Sequence, residues 1–262
     1  MRHSIIDADG LLYQSAYNVR NVREAYKKFI GKVQELTTMD FDQSGEFTLF
    51  VEGKGNWRKD IFPSYKAPRK KVQQVDPNAE MRWELSNFLK DNKLAIGAHG
   101  CETDDLVRWK AENMRKRGQE FIVISADKDL DMIPGSHIRF NPRWEITEYT
   151  VSEEEADYNY FKQIMIGDTT DNIKSPRLLG KKTAEALLNS NPRGSWRSIV
   201  EKEYQERCGH EWKHALYFTG SLIHIQRAQQ DFFQWGKGGT WWDNGFSGAP
   251  TCYNYTATQL GA

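Results

Sequence analysis

The apolar positions of the first 150 residues fall into short, dense runs separated by longer stretches with helical spacing. SIID (4–7), FTLFVE (47–52), LAIG (94–97), FIVIS (121–125) and HIRF (137–140) are mostly apolar on both faces. A strand covered by helices on both faces reads this way, because neither side-chain direction meets water. Between these runs, 20–37, 79–92, 103–117 and 129–133 carry helical spacing. In the third stretch Leu106, Val107, Ala111 and Met114 share a side, while Lys110, Arg115 and Lys116 fall elsewhere. Strand–helix alternation predicts an α/β fold with a largely parallel central sheet flanked by helices.

Segment 53–78, GKGNWRKDIFPSYKAPRKKVQQVDPN, breaks the pattern with three prolines and two glycines. Connections this long are usually functional or disordered; an arch or a pair of short helices is expected here. Beyond residue 150 the chain turns helical. Ser152 followed by Glu153, Glu154 and Glu155 reads as a helix start with acids in its first turn. Phe161, Ile164 and Met165 carry its apolar side towards Gly167, and a second helix follows Gly180 with Thr183, Ala184, Leu187 and Leu188. Further helix is expected over 195–234. The organisation read from this is a core at 1–150 with the arch at 53–78, a helical region at 151–235, and an irregular Gly- and aromatic-rich tail at 236–262.

Composition narrows the class. The 262 residues hold 36 basic and 36 acidic side chains. The apolar runs are too short to span a bilayer, and the N-terminal MRHSIIDADG has no signal-peptide stretch. Cys101, Cys208 and Cys252 are scattered, which fits a reducing compartment and gives no zinc pattern. A cytoplasmic monomer with no membrane partner is expected. The charge is unevenly placed: Lys54, Arg58, Lys59, Lys66, Arg69, Lys70 and Lys71 stand against Asp60 alone. A basic segment beside acidic clusters suits an anionic polymer together with metal ions, although a solvated loop is the commoner meaning of a charge run.

The acids recur where strands end. Asp7 closes SIID, Glu52 closes FTLFVE, and Asp127 and Asp129 follow FIVIS. Glu102, Asp104 and Asp105 stand at a helix start just after LAIG, and Asp168 and Asp171 lie in GDTTDN. Ligands of open parallel sheets bind outside the carboxyl ends of the strands, so distant segments deliver carboxylates to one edge. Hard divalent cations take oxygen ligands, and two ions about 4 Å apart activate water and stabilise the leaving oxygen of a phosphodiester. Each cluster alone reads equally well as helix caps or turn residues; their joint placement raises the metal reading. His210-Glu211-Trp212-Lys213-His214 fits the His-Glu-x-x-His zinc pattern, but with no third ligand at a known spacing it reads as a surface helix.

The ordered motifs IDADGLLYQ, NWRKDIFPSYKAPRK, ETDDLV, ISADKDLDMI and GDTTDNI…GKKTAEALL resemble the 5′-nuclease (flap endonuclease-like, PIN-like) family, in particular its bacteriophage 5′-to-3′ exonucleases. The resemblance covers about 4–190. It implies a two-metal 5′-to-3′ exonuclease or flap endonuclease acting on duplex or flapped 5′ ends of DNA, and on RNA of RNA–DNA hybrids, in phage replication, recombination or host DNA degradation. The localisation would then be the host cytoplasm. Asp7, Glu102, Asp104, Asp105, Asp127, Asp129, Asp168 and Asp171 match the family's ligands for two Mg2+ ions, for which Mn2+ substitutes. Glu52 stands where the family has aspartate. Lys66 and Arg69 match the arch bases that meet the scissile phosphate; Tyr65, near Phe62, offers a stacking face, and Arg58, Lys59, Lys70 and Lys71 add charge. The helix–hairpin–helix departs from the family pattern, keeping only Gly180 of its glycines. That puts a backbone-lined phosphate and K+ site in doubt and leaves Lys174, Arg177, Lys181 and Lys182 to hold DNA by direct charge. Asp9 and Asp131 take no role. The alternatives are a PIN-like endoribonuclease, which would lack the arch and hairpin, and a non-catalytic DNA-binding module.

Overall fold

The computed structural model describes residues 2–38, 46–67, 76–174, 179–228 and 231. Arg69, Lys70, Lys71, Arg177 and the tail 236–262 lie outside the described residues. In chain order the elements are β1 (His3–Asp7), α1 (Asp9–Ala16), α2 (Val22–Thr38), β2 (Phe47–Glu52), α3 (Trp57–Ile61), α4 (Ala79–Asp91), β3 (Ile96–Ala98), α5 (Thr103–Lys116), β4 (Phe121–Ser125) and a 3₁₀ turn (Lys128–Met132). Then follow β5 (Gly135–Phe140), β6 (Ile146–Val151), α6 (Glu153–Ile166), β7 (Gly167–Asp168), β8 (Ile173–Lys174), α7 (Lys181–Asn189), α8 (Trp196–Cys208) and α9 (Trp212–Ile223). They divide into two units. One takes the chain to Asn56 and from 76 to Glu153; the other takes Trp57 to 67 and Glu154–Gln226.

The first unit is a six-stranded sheet in the order β3-β2-β1-β4-β5-β6. Every pair is parallel except β5–β6. Alternation along the strands explains both covered faces. Ile6, Leu49, Ile122 and Ile124 face α1, α2 and α4, meeting Leu11, Phe29, Val33 and Leu89. Ile5, Phe50 and Val123 are also buried, on the alternate positions, and α5 lies against β1, β2 and β4. Each such aliphatic or aromatic side chain contributes roughly 1.5–3 kcal/mol when fully buried.

Several elements differ from the pattern read above, each for a local reason. Leu94 and Ala95 close α4 by donating to Leu89 O, so β3 starts at Ile96. β6 has a mostly open face, and its alternating ITEYTV lacks the continuous apolar run of an inner strand. α1 begins with Asp9-Gly10, where the close approach of Ala126 leaves no room: an added Cβ at Gly10 would come within 2.9 Å of the Ala126 Cβ. The helices expected over 195–234 are two, α8 and α9, the second ending at Ile223. Gly209, at φ +57°, ends α8 and a 3₁₀ turn at Gly209–Glu211 precedes α9.

In the second unit, α6 to α9 pack around Phe161, Ile164, Leu188, Trp196 and Val200. The Tyr204 hydroxyl donates to Ile164 O at 2.8 Å, fastening α8 to α6. The short antiparallel pair β7–β8 carries Asp168 opposite Ile173. α3 joins the end of α9, where Arg58, 1 % exposed, donates through Nε to Leu222 O at 3.0 Å and through Nη2 to His224 O. No described helix is long and apolar enough to cross a membrane.

Candidate functional site

Strand order selects one place on the sheet edge. From β1 the chain builds outward through β2 and β3, then returns to the other side of β1 for β4, β5 and β6. The crevice outside the carboxyl ends of β1 and β4 is the topological switch point, where open α/β sheets bind ligands. Asp7 ends β1 and Asp127 follows β4 by two residues. Ser125 links them: its Oγ donates to Asp7 Oδ2 at 2.7 Å and accepts from Asp127 N–H at 2.8 Å. Asp127 Oδ1 in turn accepts from Asp129 N–H at 2.9 Å and caps the 3₁₀ turn.

Asp7 is buried, and that burial, with the carboxylates of Asp9 and Asp127, pushes its carboxyl up from 3.8 to about 7 against the lowering effect of Ser125. A cation placed there would favour the charged form and reverse that shift. The donor set is all oxygen, which suits a hard divalent ion. Among the described residues, however, no three His, Cys, Asp or Glu side chains form a group ready to hold a metal. Several acids instead engage local donors. Asp105 is buried in the first turn of α5 and accepts from Glu102 N–H at 3.0 Å, and Glu102 Oε1 accepts from Asn56 Nδ2 at 2.8 Å. Asp104 and Asp129 are half-buried, and Glu52 is exposed at the end of β2.

Two residues given no role by the sequence have clear ones in the structure. Asp9 accepts from Glu52 N–H at 2.8 Å and from Thr103 Oγ1 at 2.7 Å, while its own N–H donates to Asp7 Oδ1 at 3.1 Å. Asp131, in the 3₁₀ turn, accepts from Arg139 and from the Tyr149 hydroxyl, the latter at 2.6 Å. Ser125 went unnoticed as well; its one signal is a polar residue closing an otherwise apolar strand directly before the acids.

The second unit brings Tyr65 and Lys66 to Asp171. Lys66 N–H donates to Asp171 O at 3.0 Å, its Nζ lies 3.8 Å from Asp171 Oδ2, and the Tyr65 hydroxyl donates to that same oxygen at 3.0 Å. Asn172 Nδ2 adds a bond to Ser64 O at 3.0 Å. Asp168 folds the connecting turn, its Oδ1 accepting from the N–H groups of Thr170 and Asp171. Lys59, Lys174, Lys181 and Lys182 are exposed, with Lys181 paired to Glu185 at 3.8 Å.

Two of the expected DNA contacts are corrected. Tyr65 is 3 % exposed and presents no face for a base to stack on; it is a clasp on Asp171. Arg58 is buried with its guanidinium on backbone carbonyls, so it is a structural residue rather than a DNA contact. The His-Glu-x-x-His match spans a break, with His210 in the 3₁₀ turn and His214 in α9, so the two do not share one helical face.

Residues 2–160 match the family model described as the 5′-3′ exonuclease, N-terminal resolvase-like domain. The thermostable DNA polymerase I of Thermus caldophilus is 28% identical over 153 residues, 54% of this chain and only 18% of that protein. A 5′-3′ exonuclease of Buchnera aphidicola subsp. Schizaphis graminum is 23% identical over 202 residues, 70% of this chain and 68% of that one. The bacteriophage T5 flap endonuclease, solved as a pseudo-enzyme–product complex with DNA and metal ions, superposes with a TM-score of 0.68 at 16% identity, covering 86% of this chain and 89% of that one. At that identity the likeness is one of fold. The family match takes in more than half of the residues, so this chain belongs to the 5′-3′ exonuclease N-terminal resolvase-like domain family.

Proposed function

We propose that this protein is a divalent-metal-dependent 5′ nuclease, hydrolysing phosphodiester bonds at or near the 5′ ends of duplex DNA. The observation that carries the reading is the Asp7–Ser125–Asp127 linkage at the switch point of the sheet, in a chain of this family. The 5′-3′ exonuclease relative and the T5 flap endonuclease complex with DNA and metal ions support it. A place in the phage branch of the family, in phage DNA replication, recombination or host DNA degradation, belongs to this proposal and rests on the motif resemblance of the sequence.

In this reading Asp7 and Asp127 hold the ions with help from Glu52, Glu102, Asp104, Asp105 and Asp129 of the same unit; Asp168 and Asp171 enter as metal ligands through the motif resemblance alone. Two Mg2+ ions, or Mn2+ in their place, would supply an activated water and charge stabilisation at the leaving oxygen. Ser125 orients Asp7 and so keeps one carboxylate direction fixed. Lys66, held at Asp171, and Arg69 meet the scissile phosphate and offset its developing charge. Lys59, Lys174, Lys181 and Lys182 neutralise flanking phosphates. RNA of RNA–DNA hybrids is included as a substrate, and the protein acts as a monomer.

The test uses duplex DNA carrying a short 5′ flap and a 5′ label, incubated with Mg2+, Mn2+ or EDTA. Metal-dependent release of short 5′ products is expected, and Asp127→Ala abolishes it while DNA binding persists. No product in either metal overturns the proposal.

A further inference from the structure

Asp9 stands apart from the acids assigned to metal. It is two residues beyond Asp7, at the first position of α1, and each of its carboxylate oxygens bonds to a different acid-bearing segment. Oδ1 accepts from the N–H of Glu52 at the end of β2. Oδ2 accepts from the hydroxyl of Thr103, the residue between Glu102 and Asp104 at the start of α5. Its own N–H donates back to Asp7 Oδ1 at the end of β1. One residue, through its side chain and its backbone N–H, thus ties together three chain segments at the same edge of the sheet, each carrying an acid proposed for the metal.

The neighbouring packing holds Asp9 in place to do this. Gly10 lets α1 approach Ala126, as noted above. Gly53, directly after Glu52, lets the end of β2 lie against β3: a Cβ there would sit 1.9 Å from Ala98 O. Both glycines flank the bonds that Asp9 makes, and both are required by close approach rather than by a turn.

We infer that Asp9 is a positioning residue: its two accepted hydrogen bonds fix Glu52 and the Glu102–Asp105 turn relative to the end of β1, where its own N–H holds Asp7. The inference rests on the nuclease reading and deepens it. Its chemistry separates geometry from charge. An asparagine keeps the Oδ1 acceptor for Glu52 N–H, and its amide donates to the Thr103 hydroxyl, which is both donor and acceptor. It removes the charge and reverses the direction of the Thr103 bond while keeping both contacts. An alanine removes both bonds. Thr103→Val removes one bond and preserves the side-chain shape.

The experiment compares Asp9→Ala, Asp9→Asn and Thr103→Val with the full-length wild-type chain. It reads the single-turnover cleavage rate against Mg2+ concentration, DNA affinity in EDTA, and the gain in melting temperature on adding Mn2+ without DNA. Partners that orient metal ligands are typically worth roughly 10–100-fold in metal affinity or activity. Asp9→Ala is expected to lose that much, to move the Mg2+ midpoint upward and to shrink the Mn2+ melting shift, with DNA affinity unchanged. Asp9→Asn is expected to stay within about threefold of wild type, since it keeps both bonds. Thr103→Val falls between them. An Asp9→Asn variant as impaired as Asp9→Ala overturns the inference, because charge would then be the active property; so does an Asp9→Ala variant equal to wild type. If Asp9→Ala does not fold, Asp9→Asn near wild type with Thr103→Val impaired supports the inference, and the reverse order overturns it. Wild type that cleaves in neither metal overturns the nuclease reading itself, and the inference with it.

Discussion

Lys66 and Asp171, more than a hundred residues apart, are joined twice: backbone N–H to backbone O at 3.0 Å, and Nζ to Oδ2 at 3.8 Å. Lys66 holds φ at +56°, and Asn172, next to Asp171, holds +63°. A left-handed residue other than glycine costs roughly 1–2 kcal/mol. Here the backbone bond, the ion pair and the Tyr65 hydroxyl on the same carboxylate offset that cost and fix where the ammonium starts from.

Under the proposed function, Lys66→Ala lowers the single-turnover cleavage rate by roughly 10²–10³-fold, the range for removing one donor to a developing oxyanion. Asp171→Asn lowers it less. If Asp171 acts through Lys66, the double variant is no slower than Lys66→Ala; additive losses assign Asp171 to an independent role at a metal.

In the metal-free protein the contribution of Asp7 to stability should fall with rising pH. Its carboxyl titrates near 7 in the fold and near 3.8 when unfolded. Between those values the unfolded chain releases the proton and the folded one keeps it, so the contribution of Asp7 to stability is greatest below about pH 4 and declines until about pH 7. Asp7→Asn escapes this loss. In EDTA at pH 8 its melting temperature is expected to exceed that of wild type by several degrees, at roughly 2–4 °C per kcal/mol. Near pH 4 the difference should nearly vanish. Adding Mn2+ at pH 8 should raise wild type and leave Asp7→Asn unmoved; equal gains would place the ion elsewhere.

Arg58→Met leaves the carbonyls of Leu222 and His224 without that donor in a buried place, a loss of roughly 1–3 kcal/mol for each unsatisfied group. Denaturant melts should show it, while the salt dependence of DNA binding stays as in wild type. Lys59→Ala should do the opposite: unchanged stability, and a salt slope smaller by about one.

Gly53→Ala places a methyl within 1.9 Å of Ala98 O, a backbone atom that cannot step aside. Destabilisation above about 3 kcal/mol is expected, the scale of overpacking at a rigid site. A melting curve within a degree of wild type would contradict the close approach of β2 and β3.

The inner strands were legible because burial on both faces writes itself as a continuous apolar run, as in FIVIS. β6 was not, since an edge strand with an open face carries polar residues at alternate positions. α1 hid behind Asp9-Gly10, whose composition looks like a turn and whose glycine is there for the contact with Ala126. Asp105 illustrates the limit for single acids. In sequence it is a ligand or a cap; the structure shows the capping bond, its Oδ2 accepting from the Glu102 N–H, and the metal role stays a proposal. Arg58 and Lys59 are adjacent and look alike, yet one is buried on carbonyls and the other meets solvent.

The sequence by itself determined the inner strands, the longer helices between and after them, and the placing of acids at strand ends, since these follow from local periodicity and from which residue closes each run. Only the tertiary structure decided which strand ends are neighbours. The reversal of strand order at β1 puts Asp7 beside Ser125 and Asp127, and the packing of α1 lets Asp9 reach both Glu52 and Thr103. Hydrogen-bond partners dozens of residues apart depend on that arrangement, and no local pattern records it.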